Sequence, residues 1–336
     1  MFIILKKKEF YDIINIYFER KQKEKFMSTF LTTLSQISFL FLLIGAGFVV
    51  MKVCKLPSNA TNSISKLVST LFMPALILTN FMENFTVERL SSAWQFALAG
   101  VIVVTLSITI AVIIARFSAN DSYRRKIHTY CLAFSNFGFM GTAVVSAIMP
   151  DIFMSYLILC TPMWIVNYTW AIPALLMPSK EGKIFTFKNL LNPLFMAMVI
   201  GIIIGLTQLP IPPFIDSSVE ALSKCMSPCT MLLTGMCVAK IDIKRVLKIK
   251  SVYSLSAIRL LGMPLLFILT LLIFNIDRGV SLCVLAVLAM PLGLNGVVIP
   301  EAHGQDTSEA SGMAIVSHLA SALTIPLMFA IFELVI

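Results

Sequence analysis

The stretch AMPLGLNGVVIPEAHG, residues 289–304, places helix-breaking residues inside one of the most hydrophobic regions of the chain. The breakers are Pro291, Gly293, Asn295, Gly296 and Pro300. Proline removes a backbone donor, glycine loosens the backbone, and in hydrocarbon each freed N–H or C=O group is costly unless another group satisfies it. We therefore predict a broken membrane helix here, and carriers bind their solutes at such breaks near the bilayer midplane.

The composition is that of an integral membrane protein. Of 336 residues, 58% are hydrophobic and 13% are charged, and the mean hydropathy is +0.91, whereas soluble domains have about 45–50% apolar and about 25% charged residues. Apolar runs of about 20 residues recur almost to the end and leave no room for a soluble domain. We expect an all-α polytopic membrane protein with one membrane domain over residues 27–336.

Enzyme chemistry finds no support in the sequence, which has no P-loop, no HExxH, no GxSxG and no acidic cluster for a metal-bound diphosphate. No cofactor or metal is expected, and the seven cysteines, which form no CxxC, are interpreted as reduced packing residues. The net charge of +9 comes from short basic loops, which topology explains better than nucleic acid does. Without a nucleotide-binding segment, transport would run on a gradient.

Ten membrane spans are predicted from the apolar runs. They cover residues 34–53, 64–82, 94–115, 129–149, 153–177, 191–209, 219–239, 253–274, 281–300 and 308–335. Fifteen lysines and arginines fall in one set of alternate loops and two in the other, Arg89 and Arg278. The positive-inside rule then places the chain in the cytoplasmic membrane with both termini on the non-cytoplasmic side.

The first 26 residues, which carry seven lysines and arginines, would lie on the wrong side of the membrane in this topology. They have no signal-peptide pattern. We interpret residues 1–26 as a mis-assigned start before Met27, with an amphipathic surface segment as the alternative.

Landmark residues recur at a nearly constant offset. Gly47 and Gly201 are 154 apart, Pro74 and Pro228 are 154 apart, Asn136 and Pro291 are 155 apart, and Pro173 and Pro326 are 153 apart. Four matches in order indicate an internal duplication. Because five spans, an odd number, separate equivalent points, the second copy must insert upside down, which is the inverted-repeat architecture of secondary carriers.

The counterpart of the opening stretch is FSNFGFMGTAVV, residues 134–145, in the fourth predicted span. Polar and small residues interrupt this apolar run as they interrupt the ninth span. Two discontinuous segments at corresponding places in the two halves indicate a solute site where they cross near the midplane.

The motifs SNFGFMG (135–141), MPLGLNGVVIPEAHGQD (290–306), SHLASALTIPL (317–327) and FMPALIL (72–78) resemble the auxin efflux carrier family, which includes plant PIN proteins and bacterial malate permease-like carriers. The resemblance covers Met27 to the C-terminus. It implies ten helices in two inverted five-helix repeats, with broken helices 4 and 9 crossing. The scaffold would comprise residues 34–82 and 191–239, and the transport unit residues 94–177 and 253–335.

The family's asparagine and proline at the crossing match Asn136, Pro291 and Asn295, whereas Pro300, Glu301 and His303 depart from its closing pattern. The candidate substrate-binding residues are Ser135, Asn136, Gly138, Gly141, Pro291, Asn295 and Gly296. Asparagine amides can bind a carboxylate or cap a freed helix end, and glycines permit close approach of backbone N–H groups. Half-helix N-termini carry partial positive charge, which favours an organic anion.

Other polar residues in spans are candidates for coupling or for lining the cavity. They are His318 and His303, with a proton as the candidate coupling ion, and Asn167. Lys224 and Arg259 are expected to extend towards an interface rather than to contact substrate. The scaffold surface, in contact with lipid, could also pair two copies of the chain as a homodimer.

The predicted function is secondary active transport of a small organic anion, such as a malate-like or auxin-like acid. Two alternatives stay open: an ion-coupled exchanger of the sodium/proton or bile-acid-symporter type, and a channel or sensor with the same crossing. The first is disfavoured because no acidic residue lies at the centre of a span. The second would need a continuous pore.

Overall fold

The computed structural model describes residues 2–57, 59–85, 87–178, 191, 193–240, 246 and 248–335, and among these the side chains of residues 2–22, 87–92, 301 and 302 lie outside the description. The described residues form twelve helices and no β-strand. The helices are α1 (Phe2–Val53), α2 (Ala60–Asn84), α3 (Val87–Ser118), α4 (Ser122–Ala133), α5 (Phe137–Ile148), α6 (Pro150–Leu176), α7 (Pro193–Thr207), α8 (Pro213–Lys240), α9 (Lys250–Leu271), α10 (Arg278–Leu288), α11 (Asn295–Ala302) and α12 (Ser308–Val335).

Seven helices of the described chain are long and apolar enough to cross a membrane: α1, α2, α3, α6, α8, α9 and α12. Three shorter apolar helices, α5, α7 and α10, have 10–17 residues. The all-α polytopic prediction is therefore confirmed. The arrangement of ten spans in inverted repeats stays a prediction.

Apolar side chains occupy both the interior and the outer surface of the helix assembly. Helix α10 is almost completely enclosed, with Leu285, Ala286 and Val287 each at 0% exposure. On the outside, Leu42 is 74% exposed and Phe117 is 87% exposed. A surface this apolar is suited to contact with lipid rather than water.

Helices α2 and α9 each contain one π-helical turn just before a proline. In α2 this turn covers Val68–Phe72 and precedes Pro74, and in α9 it covers Ile258–Gly262 and precedes Pro264. Proline has no N–H to donate and its ring crowds the preceding turn, so the helix continues by changing its hydrogen-bond register.

In two pairs of helices, a glycine lets the backbone of one helix pack closely against the neighbouring helix. A Cβ added at Gly47 in α1 would lie 2.1 Å from the carbonyl oxygen of Leu232 in α8. A Cβ added at Gly201 in α7 would lie 2.7 Å from the Cβ of Phe81 in α2. These glycines are one of the pairs of landmarks in the predicted repeat, and each lies at a close helix contact.

The basic N-terminal segment continues into the first span, because α1 is one helix from Phe2. Near its middle, Lys25 Nζ lies 2.9 Å from Glu333 Oε2 of α12. Several residues used to predict topology lie outside the described residues: Lys180, Lys183, Lys188, Lys244 and Arg245. The side chains of Arg89 and Glu301 are also outside the description.

Candidate functional site

Two breaks in the helical backbone meet in the interior of the protein. Residues 134–136 separate α4 from α5, and residues 289–294 separate α10 from α11. The two non-helical segments run antiparallel, with Ser135 paired to Leu292 in an isolated bridge. The interruptions predicted in the fourth and ninth spans are therefore present, and they touch. We call this contact the crossing.

Backbone hydrogen bonds hold the crossing together. Asn136 donates its N–H to Pro291 O at 2.7 Å, and Gly293 donates its N–H to Phe134 O at 3.0 Å. A Cβ at Gly293 would lie 3.2 Å from the carbonyl oxygens of Phe134 and Ser135. Proline supplies only an acceptor and glycine allows the close approach, so the breakers found in the sequence satisfy each other's backbone groups.

A small cavity lies beside the crossing, with about 30 Å³ available to the centre of a water-sized sphere. This is room for about two water molecules. Aromatic side chains, Trp164 and Tyr168 among them, form part of its wall. Among the predicted site residues, those that line the cavity are Ser135, Asn136, Gly138, Asn167 and Asn295.

Three amides of this cavity are linked to buried partners. The hydroxyl of Tyr130 donates to Asn167 Oδ1 at 3.0 Å and also hydrogen-bonds the side chain of Asn295. Tyr130 is only 1% exposed and lies one turn before α4 ends. We did not predict it as a site residue, because a tyrosine in an apolar run gives no signal that separates packing from a polar role.

Asn136 has its own partner behind the cavity, His318 of α12. His318 Nδ1 lies 2.8 Å from Ala314 O, so this nitrogen carries the proton and donates it to the carbonyl. Its Nε2 is then free to accept from Asn136 Nδ2 at 3.1 Å. His318 is not among the residues that line the cavity. His318 therefore fixes the Asn136 amide from behind, and a neutral imidazole can accept the hydrogen bond that this amide donates.

The remaining predicted site residues support the crossing rather than line the cavity. Gly141 donates its N–H to Asn136 O at 2.9 Å, and a Cβ there would lie 2.1 Å from the Tyr156 hydroxyl. Gly296 donates its N–H to Gly293 O at 3.0 Å. The N–H groups of Gly141 and Gly296 are thus used within the crossing, and their predicted contact with a ligand stays a prediction.

Pro291 and His303 are also outside the cavity lining. The carbonyl of Pro291 is used by the crossing, as described above. His303 is exposed beyond the end of α11, so the structure does not support its predicted place beside the cavity.

Arg259 corrects a second expectation. We predicted that this side chain extends towards an interface, but it is 1% exposed and points at the crossing. Its Nη1 donates to Leu132 O at 3.0 Å, and its Nη2 donates to Val287 O at 3.0 Å. Its Nε donates to Met290 O at 3.3 Å. The physical reason is that a broken helix leaves carbonyls without intrahelical partners, which a guanidinium can satisfy. Lys224, in contrast, pairs with Glu220 on the surface.

A charged cluster that the sequence analysis missed joins the ends of four helices. Arg124 Nε donates to Glu309 Oε2 at 2.7 Å, and its Nη2 donates to Oε1 at 2.9 Å. Ser251 donates to the same carboxylate, and the fully buried His128 places Nε2 3.1 Å from Oε2. His128 Nδ1 lies 2.8 Å from Ser118 Oγ. The bonds to Glu309 raise the pKa of Arg124, which stays charged. The cluster therefore fastens α3, α4, α9 and α12 together.

Comparison with curated proteins gives no match. A family model described as membrane transport protein matches residues 32–186 and 177–329. The matched ranges contain both broken segments and all the helices that meet at the crossing. The chain therefore belongs to the membrane transport protein family, the auxin efflux carrier and PIN-like family that its motifs resemble, and is a multi-pass membrane transporter.

Proposed function

We propose that the protein is a secondary active transporter that moves a small organic anion across the cytoplasmic membrane by alternating access, with the substrate at the crossing. The observation that carries the proposal is the meeting of two broken helices beside a cavity lined by Asn136, Asn167 and Asn295. Amide N–H groups can donate to a carboxylate without bringing a competing negative charge. Helices α5 and α11 both begin at the crossing, and their N-termini add partial positive charge there.

Contacts inside each of the two proposed groups of helices support alternating access, and α1 and α12 provide the main contact between the groups. The glycine contacts join α1 to α8 and α2 to α7, all within the proposed scaffold. The Glu309 cluster fastens α3, α4, α9 and α12, all within the proposed transport unit. The cavity of about 30 Å³ is too small for an organic acid, so binding one requires the cavity to widen, which movement between the two groups of helices would allow.

His318 is the residue through which a proton could couple to the anion, because its Nε2 contacts Asn136. The alternative of a sodium/proton or bile-acid type exchanger draws no support from the cavity, since its lining contains no aspartate or glutamate among the described residues. A channel or sensor with the same crossing stays as the second alternative. Pairing of two copies through scaffold helices, and termini on the non-cytoplasmic side, belong to the proposal as well.

A panel of ligands tests the proposal with the purified protein. Mono- and dicarboxylates, indole acids and amino acids are each added at saturating concentration, and the unfolding temperature is measured. We expect an organic acid to raise it, because a ligand at 100 times its Kd stabilises the folded state by about 2.7 kcal/mol. The uncharged amide of the same acid serves as the matched control and should have little effect. Stabilisation by sodium or by a neutral solute, with none by any acid, would contradict the proposal.

A further inference from the structure

Arg259 carries a charge into the interior of the protein without an acidic partner. Its side chain is 1% exposed, and among the described residues no carboxylate oxygen lies within 4.0 Å of it. A buried charge is strongly unfavourable unless other groups compensate it. The compensation for Arg259 must therefore come from the groups to which it donates.

Those groups are backbone carbonyls at the ends of the two broken helices. Leu132 lies in the last turn of α4, Val287 lies in the last turn of α10, and Met290 lies within the second break. The last four carbonyls of a helix have no intrahelical partner and carry partial negative charge. Ser135, which lines the cavity, donates its hydroxyl to the same Val287 oxygen at 2.7 Å. Arg259 therefore acts next to the cavity but does not line it.

The electrostatic effect follows from the four helix ends at the crossing. Helices α4 and α10 end there, and helices α5 and α11 begin there. Each C-terminus carries about −0.5 of an elementary charge and each N-terminus about +0.5, so the four ends alone nearly cancel. One guanidinium balances both C-termini. The two N-termini are then left uncompensated, with a combined charge of about +1.

We propose that Arg259 determines the preference of the crossing for an anion: by neutralising the C-termini of α4 and α10, it leaves a net positive field at the cavity that matches one carboxylate. This rests on the proposed function in that it explains which substrates the site takes. Arg259 is a positioning residue here, because it works through backbone carbonyls and does not touch the substrate.

The field can be measured without any substrate. Phe139 lines the cavity and is half-buried, so Phe139→Cys puts a thiol there while leaving the polar groups in place. The pH dependence of its alkylation by uncharged iodoacetamide, followed by mass spectrometry, gives the pKa of the thiol. Cys54, which is exposed at the end of α1, provides an internal reference in the same sample.

We expect Arg259→Gln to raise the pKa of the introduced thiol by about one unit, a tenfold loss of thiolate, because a positive field stabilises the thiolate. Arg259→Lys keeps the charge and should leave the pKa within about 0.3 units of the parental value, whereas the Cys54 reference should be the same in every background. If the introduced thiol has the same pKa with arginine and with glutamine at position 259, the inference is overturned. Arg259 would then only satisfy the backbone carbonyls, with no electrostatic effect on the cavity.

If Arg259→Gln does not yield folded protein, the pKa of the Phe139→Cys thiol with Arg259 in place tests the inference. Because burial alone raises a thiol pKa, a value at or below the ordinary one of about 8.5 supports the inference, and a value well above it overturns it. This readout is separate from the ligand panel. The panel can fail while the field is present, and the field can be absent while an acid still binds.

Discussion

Alanine at Asn136 is expected to weaken binding of the organic anion strongly while leaving the protein folded. The amide of Asn136 lines the cavity and is held by His318. One hydrogen bond to a charged ligand contributes about 1.5–3 kcal/mol, so we expect affinity to fall about 10- to 100-fold. The measurement is the ligand-induced rise in unfolding temperature, titrated with the acid that stabilises the parental protein.

Asn136→Ala also leaves His318 Nε2 without its partner, which should cost stability of about 1–3 kcal/mol without ligand. Affinity and stability must therefore be measured separately. The matched control is Asn62→Ala, which removes an exposed asparagine of α2 and should change neither quantity. Parental affinity in Asn136→Ala would reduce the crossing to a structural joint.

The second large effect is expected at Gly47, where alanine should prevent the close packing of α1 on α8. The added Cβ would lie 2.1 Å from Leu232 O, a backbone atom that cannot move without the helix. Overpacking of this kind costs about 3 kcal/mol. We expect a much lower unfolding temperature and a lower yield of monodisperse protein in detergent.

Gly45, two residues earlier in the same helix, provides the control. A Cβ added there has nothing within 4 Å, and alanine is preferred over glycine in helices by about 0.5–1 kcal/mol. Gly45→Ala should therefore be neutral or slightly stabilising. Similar unfolding temperatures for the two variants would show that α1 and α8 do not pack through Gly47.

The breaks could be predicted from the sequence because they depend on residue type. Prolines, glycines and asparagines cannot extend a helix in lipid without compensation, and 134–145 and 289–304 are rich in them. The structure confirms both breaks and their contact. Asn136 and Asn295 both line one cavity, and their contact with a substrate stays a prediction.

The partners of the site were harder to predict. Arg259 binds backbone carbonyls, which every residue has, so no sequence pattern marks them. Arg124 and Glu309 pair across 185 positions, and each lies near a helix end where a charge is usually solvated. Gly141 was predicted to permit close approach of its backbone N–H to a ligand, and the structure shows that the group nearest to its missing Cβ is the Tyr156 hydroxyl. In each case the decisive information is which helix faces which, and local sequence does not contain it.

Counterflow in proteoliposomes measures most directly whether the chain is a carrier with a single substrate site at the crossing. Vesicles are loaded with the unlabelled acid identified by thermal stabilisation, diluted, and given a trace of the labelled acid outside. We expect transient accumulation of label above its equilibrium level, because a carrier returns its site loaded with trapped substrate. Uptake at the same rate with and without trapped acid would contradict alternating access and indicate a pore.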